Sequence, residues 1–446
     1  MMDIIPFLMA FAIMIMAVCY ACFIKKYDNS LIILIVGIGI ILRVGYMMYT
    51  DCTVRSHDLG ELDENGYGHA SYILGLIKYG KLPADNMIQH YQQPFFYISS
   101  SAVSFVVNKI IGHSDNYSYV NVAKLVSCVA SIVTLFAALN IFKELKLQKK
   151  GVTIAMLFVA FMPAFIISGG TVSPDALSAM FMALIFLYTL RWYNTGKIKY
   201  MIGTAFCYGF GVMTKISCAA LAPITIGLIV YKFIREKELR IKIVMHSLTL
   251  GVISLPIGLW YSVRNFIKFG QKFSYVLNPG EAIYTGDTSL FSRIFMINIH
   301  NLVKSPYCAP FDDYNAPVYY LKSALFGEFS YQVPNIIAVL LLISGIVMSV
   351  ILVTAIINLI RNIKKDRAAI IPLVTFGFYY LVSLVFYIKM PYGCSMDYRY
   401  MLFLTIPAAY IIGKYYENTK KNTVKVSMVF FAAMTTVMYL ATGIIR

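Results

Sequence analysis

Charge is what this sequence has least of. Only 13% of its 446 residues are charged, about half of the roughly 25% that is usual in soluble domains. Hydrophobic residues make up 59% of the chain, and the mean hydropathy is +0.71. No stretch of about 100 residues has the composition of a soluble domain, and no internal repeat stands out. We therefore expect one membrane domain over residues 1–446.

Acidic residues are especially few, with 21 Asp and Glu against 38 Lys and Arg and a formal net charge of +17. The basic residues stand in short clusters between apolar runs, a pattern that orients membrane helices and excludes a nucleic-acid partner. The eight cysteines are scattered, so neither a disulfide framework nor a zinc site is indicated. Met1 to Asp3 lacks a basic region, so the first span is expected to stay in the protein.

Apolar runs of about 20 residues, the length that crosses a bilayer, recur along the chain. Candidate spans lie near residues 4–24, 31–49, 94–111, 119–142, 152–168, 175–193, 200–214, 216–234, 242–262, 336–360, 368–388, 398–414 and 425–445. The predicted fold class is an all-α polytopic membrane protein. Two stretches poor in apolar residues, 51–93 and 264–334, are too long for turns and are expected to be the working loops.

Basic clusters predict the topology. They lie at residues 25–26, 143–150, 191–199, 232–242, 361–367 and 414–425. If the segment 94–111 lies in the outer interface, all six clusters fall on one side, which the positive-inside rule makes the cytoplasm. Pro94, a serine run and Lys109 favour that reading. The alternative is that 94–111 crosses and one cluster breaks the rule.

The first working loop is dense in polar residues. It contains Arg55, His57 and Asp58, then Asp63 and Glu64, and further on His69. A carboxylate above the bilayer can act as a general base on a hydroxyl while nearby cations hold a lipid-linked phosphate. The alternative is a solvated loop with charges of both signs.

Motifs in this loop are followed by others along the chain. The series is Arg55-Ser56-His57-Asp58, Asp63-Glu64, Gly68-His69, Gln92-Gln93-Pro94, Ser173-Pro174-Asp175, Thr214-Lys215, Trp260 with Arg264-Asn265, Lys322 to Glu328, and Asp397 to Tyr400. In this order they resemble the C-type (GT-C) glycosyltransferases, in the branch similar to protein O-mannosyltransferases and the aminoarabinose transferase of lipid A. The sequence has Gln92-Gln93-Pro94 where that branch has His-Pro-Pro.

The resemblance implies a GT-C bundle of about 12 to 13 transmembrane helices. Residues 50–118 would form a catalytic outer loop with a juxtamembrane helix, and residues 263–335 a large outer loop that caps donor and acceptor. The implied activity is transfer of a sugar, with inversion, from a polyprenyl monophosphate to an acceptor hydroxyl on the outer face of the cell membrane. The implied partners are that lipid-linked sugar, a cell-envelope glycan, lipid or protein acceptor, and the bilayer.

The resemblance also suggests roles for single residues. Asp58 is the favoured base, with Asp63 and Glu64 as rivals. Lys215 is the first candidate for the donor phosphate, because a lysine at the end of a span is costly unless it faces a polar cavity; simple snorkelling is the alternative. Further phosphate candidates are Arg399, Arg55 and Arg264, and candidates for positioning the substrate are Asp175, His57, His69 and Tyr400.

Several alternatives stay open at this stage. Arg264 can instead anchor its loop, and Asp175 can be a helix cap behind Ser173-Pro174. No cofactor and no metal site are expected, with a divalent metal as the open alternative. A polytopic transporter or lipid-linked sugar flippase, and an oligosaccharide polymerase or ligase, are the rival functions. A transporter would be expected to carry charge near the middle of the membrane.

Overall fold

The computed structural model of the protein is helical. It describes residues 30–273, 275–277, 280, 283–309 and 314–445, so the predicted span 4–24 and the basic pair at 25–26 lie outside the described residues. Within these ranges no strand forms, and one isolated antiparallel bridge joins Tyr284 to Tyr392. The helices are α1 Ser30–Tyr49, α2 Gly68–Tyr79, α3 Phe95–Ile111, α4 Asn116–Glu144, α5 Lys149–Ala160, α6 Pro163–Gly169, α7 Asp175–Thr195, α8 Ile198–Val212, α9 Ala222–Arg235, α10 Arg240–Phe269, α11 Leu290–Ile294, α12 Ile299–Lys304, α13 Ala316–Phe326, α14 Asn335–Arg361, α15 Ile370–Lys389, α16 Thr405–Thr419 and α17 Asn422–Ile444.

Eight helical segments of the described chain are long and apolar enough to cross a membrane. They are Ser30–Tyr49, Asn116–Glu144, Asp175–Thr195, Ile216–Arg235, Lys237–Phe269, Asn335–Arg361, Arg367–Lys389 and Asn422–Ile444. The pair α5 and α6, bent by 48°, makes a ninth if it is one broken span. This confirms an all-α, multi-pass membrane protein. The predicted number of about 12 to 13 spans and the interfacial position of α3 stay predictions.

The chain folds into two compact units. The described part of the first unit comprises residues 50–145, 169–273 and 275–277, and contains α2, α3, α4 and α7 to α10. Its helices pack in series, α3 on α4, α4 on α7, α7 on α8 and α8 on α10. Small residues permit the last contact, because a Cβ on Gly209 of α8 would lie 2.8 Å from the Ile257 side chain of α10.

The second unit comprises residues 30–49, 146–168 and the described residues from 280 to 445. In it α5 packs on α16, α14 packs on α17, and α1 packs on both α5 and α17. Short helices α11, α12 and α13 lie in the predicted large outer loop. The division of the chain into one membrane domain with two functional loops stays a prediction.

Candidate functional site

The part of the first working loop that precedes α2 is hydrogen-bonded to the start of that helix. The Asp58 carbonyl accepts a hydrogen bond from the His69 amide at 3.0 Å, and the Leu59 carbonyl accepts one from the Ala70 amide at 2.9 Å. These are two of the amides that a helix N-terminus leaves without an internal partner. Gly68, with φ +100°, permits the contact, because a Cβ there would lie 2.4 Å from the Leu59 carbonyl oxygen. Asp58 is therefore held in a fixed place at the end of a helix.

Arg55 and Asp58 both adopt left-handed backbone conformations, with φ of 53° and 54°. For residues with a side chain this region costs about 1–2 kcal/mol, and such outliers cluster at functional sites. Nη2 of Arg55 lies 3.4 Å from Oγ1 of Thr50. Asp58 is exposed, whereas Arg55 and His57 are half-buried. Sequence reasoning selected this cluster, and the backbone is unusual at two of its three members.

The rival acidic pair has structural partners. The carboxylate of Asp63 accepts the Asn65 amide at 2.7 Å and so closes a local turn. Glu64 forms an ion pair with Lys78 of α2 and lies 3.4 Å from the side-chain amide of Asn116. These contacts give the pair a role in holding the loop to α2 and α4.

Lys215 and Asp175 form an ion pair at the ends of two neighbouring helices of the first unit. Lys215 follows the end of α8, and Asp175 is the first residue of α7. The Asp175 side chain is 6% exposed and that of Lys215 is 20% exposed. Oγ of Ser173 donates a hydrogen bond to the other Asp175 oxygen at 2.6 Å. The carboxylate thus holds the ammonium group of a lysine that is mostly buried.

The start of α3 is joined to the same place. The amide of Phe95 donates to the Met213 carbonyl at 2.9 Å, two residues before Lys215. Tyr97, two residues further along α3, is within electrostatic range of both Asp58 and Asp175. The start of α3 is therefore hydrogen-bonded to the segment that carries the candidate phosphate ligand Lys215.

Hydrogen bonds and ring stacking connect Tyr97 to neighbouring aromatic residues. The Tyr97 hydroxyl donates to Gln92 at 3.1 Å and accepts from Nδ1 of His69 at 2.8 Å. The Tyr97 ring stacks on Tyr72 at 3.9 Å, and the Tyr72 hydroxyl donates to Tyr261 of α10 at 3.1 Å. Burial raises the pKa of Tyr72 well above its usual value, so its hydroxyl stays a donor. His69 is 2% exposed, and its contacts are those of a packed residue.

Arg264 lies on α10 against the end of the first loop. Its Nη2 donates to the Pro83 carbonyl and its Nη1 donates to Asn265, both at 2.7 Å. Lys268, one turn further on, donates to the Ala84 carbonyl at 3.2 Å. These contacts are those of the loop anchor that the sequence left as an alternative.

Arg399 and Tyr400 belong to the second unit. Nε of Arg399 lies 3.4 Å from a carboxylate oxygen of Asp397, which is 2% exposed. Nη2 of Arg399 donates to the Tyr400 hydroxyl at 3.2 Å. Asp397 and Glu328 offer carboxylate oxygens within 4.8 Å of each other, a pair that could supply two ligands to a divalent cation. The expectation of no metal stays a prediction.

Sequence reasoning missed Lys124. This residue of α4 is 2% exposed, and its Nζ donates to the Thr50 carbonyl at 2.5 Å. The signal was present, because a lysine within an apolar span is costly and usually has a role. Tyr117, also on α4, donates to the Asp51 carboxylate. Two residues of α4 therefore fix the point where the catalytic loop is predicted to begin.

Comparison with known proteins agrees with this fold. Residues 107–260 match the family described as dolichyl-phosphate-mannose-protein mannosyltransferase. The oligosaccharyltransferase of Archaeoglobus fulgidus in its apo form superposes with a TM-score of 0.51 at 11% identity, over 93% of this chain and 55% of that one. The chain has the GT-C fold. The fold that the sequence motifs implied is thereby confirmed.

Two further solved structures also match this chain. The Archaeoglobus enzyme tethered to an acceptor peptide gives the same TM-score of 0.51 at 11% identity, over 94% of this chain and 56% of that one. ArnT from Cupriavidus metallidurans in the apo state gives a TM-score of 0.40 at 13% identity, over 92% of this chain and 77% of that one. The chain thus spans about half the length of the oligosaccharyltransferase. No curated protein matches it by sequence.

Proposed function

We propose that this chain is an inverting glycosyltransferase that moves a sugar from a polyprenyl monophosphate to an acceptor hydroxyl on the outer face of the cell membrane. The observation that carries the proposal is the largely buried Lys215–Asp175 ion pair of the first unit, which also contains the Asp58 loop, hydrogen-bonded to the start of α2. The match of residues 107–260 to a mannosyltransferase family supports it.

Asp58 is the proposed general base. Inversion requires a group that takes the proton from the acceptor hydroxyl as the oxygen attacks the anomeric carbon from the face opposite the phosphate. An exposed carboxylate on a loop that is fixed to a helix end meets this need, because it is reachable by the acceptor and its position varies little. Arg55 and His57, its neighbours in the loop, are proposed to contact the donor phosphate and the acceptor.

Lys215 is the proposed ligand of the donor phosphate. A phosphate is a good leaving group, so no general acid is needed, but the charge that develops on it must be stabilised. One oriented cation in a site that excludes water can supply about 3 kcal/mol. Asp175 is proposed to orient Lys215 before the donor binds. This is a positioning role, since the carboxylate itself would repel the phosphate.

The remaining candidates have lesser roles in the proposal. Arg264 is proposed to shape the site through its bond to the Pro83 carbonyl, and His69 through its bond to Tyr97. Arg399 and Tyr400 of the second unit stay candidates for the phosphate and the substrate. The acceptor class is a cell-envelope glycan, lipid or protein.

The test is sugar transfer in proteoliposomes that contain the purified protein and a radiolabelled polyprenyl monophosphate sugar, with and without a cell-envelope fraction as acceptor. We expect label to pass to the acceptor in the wild type and not in Asp58→Asn. Donor monophosphate should give product where a pyrophosphate-linked oligosaccharide does not, which separates this activity from a polymerase or ligase. Movement of the lipid between leaflets without transfer would identify a flippase instead.

A further inference from the structure

Arg293 of α11 is a buried cation with unused donors. The residue is 7% exposed. Its guanidinium lies over the Tyr387 ring, 5.3 Å from the ring centre. Nε and Nη1 are buried, and among the described residues neither has a hydrogen-bond partner. A buried charge with unmet donors is costly unless an anion or another acceptor completes it.

The depth of Arg293 relative to a membrane follows from Tyr387. This tyrosine lies two residues before Lys389, the last residue of α15, and α15 belongs to the candidate span Arg367–Lys389. The end of a spanning helix lies at the level of the lipid headgroups. Arg293, which stacks on Tyr387, therefore lies at headgroup level.

The segment around Arg293 is strongly apolar on its surface, although it lies outside the candidate spans. Phe291, Phe295, Ile297, Ile299 and Val303 are 59% to 78% exposed. They belong to α11, α12 and the turn between them. A short segment at a membrane surface with large apolar side chains outward is typical of one that inserts into the interface.

We propose that α11 and α12 form a binding site for a membrane glycerophospholipid. The phosphate of the headgroup accepts hydrogen bonds from Nε and Nη1 of Arg293, and the acyl chains lie against the exposed side chains of residues 291–303. A lipid supplies both missing elements at once, an anion for the cation and an apolar cover for the surface. Arg293 belongs to the second unit, whereas the donor phosphate is proposed to bind Lys215 of the first unit.

The experiment measures retention of lipid by the protein purified in a non-ionic detergent without phosphate. Native mass spectrometry follows titration with dioleoylphosphatidylglycerol, dioleoylglycerol, inorganic phosphate and farnesyl phosphate. We expect dioleoylphosphatidylglycerol to bind, and dioleoylglycerol and inorganic phosphate each to bind at least about tenfold more weakly, since each lacks one half of the site.

Variants locate the site. Arg293→Met keeps the apolar stem and should weaken phosphatidylglycerol binding by about ten- to a hundredfold, as expected for a lost charge-assisted hydrogen bond. Arg293→Lys should restore part of it. Lys389→Met removes an exposed cation at the end of α15, the helix that carries Tyr387, and should leave phosphatidylglycerol binding unchanged. The paired change Phe291→Ser with Phe295→Ser alters only exposed positions, so it tests the apolar half even if Arg293→Met folds poorly.

Unchanged binding in Arg293→Met, or in the paired serine variant, would overturn the proposal. So would equal binding of dioleoylglycerol or of inorganic phosphate. Farnesyl phosphate that displaces phosphatidylglycerol at equimolar amounts would reassign the site to a prenyl lipid. A wild-type dimer that the serine changes convert to a monomer, with lipid binding unaltered, would reassign the surface to a second copy of the chain.

Discussion

The guanidinium of Arg43 closes the end of α5 through the carbonyl of Ala160. Nη1 donates to that carbonyl at 2.7 Å and to Gly39 at 2.9 Å, and Nη2 donates to Val159 at 3.2 Å. The last carbonyls of a helix have no internal partner, and here the span bends by 48° into α6. Arg43 is fully buried. An arginine of α1 therefore supplies hydrogen bonds to the carbonyls at the end of α5.

Replacing Arg43 by Met should destabilise the second unit. The change leaves the Val159 and Ala160 carbonyls in an apolar environment, and each unsatisfied group costs about 1–3 kcal/mol. We expect a lower midpoint when the purified protein is unfolded by titration with a denaturing detergent. Arg361→Met, an exposed arginine at the end of α14, is the control and should leave the midpoint unchanged. Equal midpoints for the two variants would contradict a structural role for Arg43.

Asp58→Asn should abolish sugar transfer without unfolding the protein. An exposed loop carboxylate adds little to packing, whereas an amide cannot take a proton from the acceptor. The Asp58 carbonyl, which binds the start of α2, is unchanged by the substitution. Asp63→Asn is the matched control on the same loop and should keep most of the activity. Loss of transfer in Asp63→Asn with retention in Asp58→Asn would move the base to the acidic pair.

Lys215→Met should lower the rate of transfer at low donor concentration by about ten- to a hundredfold. The lost charge-assisted contact is worth about 1.5–3 kcal/mol. Lys215→Arg should partly restore the rate, although a planar fork differs from an ammonium in shape. Initial rates at varied donor concentration, with thermal stability in parallel, give the measurement. Wild-type donor dependence in Lys215→Met would leave Arg399 and Arg55 as the phosphate candidates.

The loop between α3 and α4 should lie on the outer side of the membrane. Ser114 is exposed there and Thr423 is exposed beside the basic cluster at residues 414–425. In a background without the eight native cysteines, a membrane-impermeant maleimide added to intact cells should label Ser114→Cys and spare Thr423→Cys. The opposite pattern would reject the predicted topology.

Asp51 should make stability depend weakly on pH. Burial alone would raise the pKa of Asp51, but hydrogen bonds from Tyr117 and Thr53 lower it below its usual value. Since the folded-state pKa is the lower one, this stabilisation is present above the unfolded-state pKa near 4 and is lost as the pH falls through the folded value. Asp51→Asn should therefore lower the unfolding midpoint at pH 7 and lower it less as the pH falls below 4. A pH-independent effect would rule out this linkage.

Long apolar runs gave the helices accurately, because a run of about 20 apolar residues has few other stable states in a bilayer. The predicted span 31–49 is α1, and 336–360 lies within α14. The loops were less predictable. Residues 68–79 were read as loop and form α2, because the helix is stabilised by burial of its face, including Tyr72 and Ile73, which pattern reasoning did not detect.

The candidate site likewise has a part that the sequence predicts and a part that it does not. Motif order identified Asp58, Asp175 and Lys215 as candidates, and the fold pairs Asp175 with Lys215. Their partners could not be predicted, because they come from distant parts of the sequence. Asp175 pairs with Lys215, forty positions away. The same holds for Lys124, which was not selected and which bonds to the distant Thr50 carbonyl. Such contacts depend on how the helices pack and leave no local trace.

The second unit is assembled from both ends of the chain, and this bears on how the protein is made. Its helix α1 packs on α5 and on α17, which follows it by some 370 residues, so at about 5–20 residues per second the ribosome needs tens of seconds to deliver the last partner. During that interval the side of α1 that packs on α17 has no protein partner. Arg43 can bond to the carbonyls at the end of α5 as soon as α5 is inserted. A nascent chain arrested before α17 should therefore hold α1 and α5 together but stay open to membrane quality-control proteases until α17 is added.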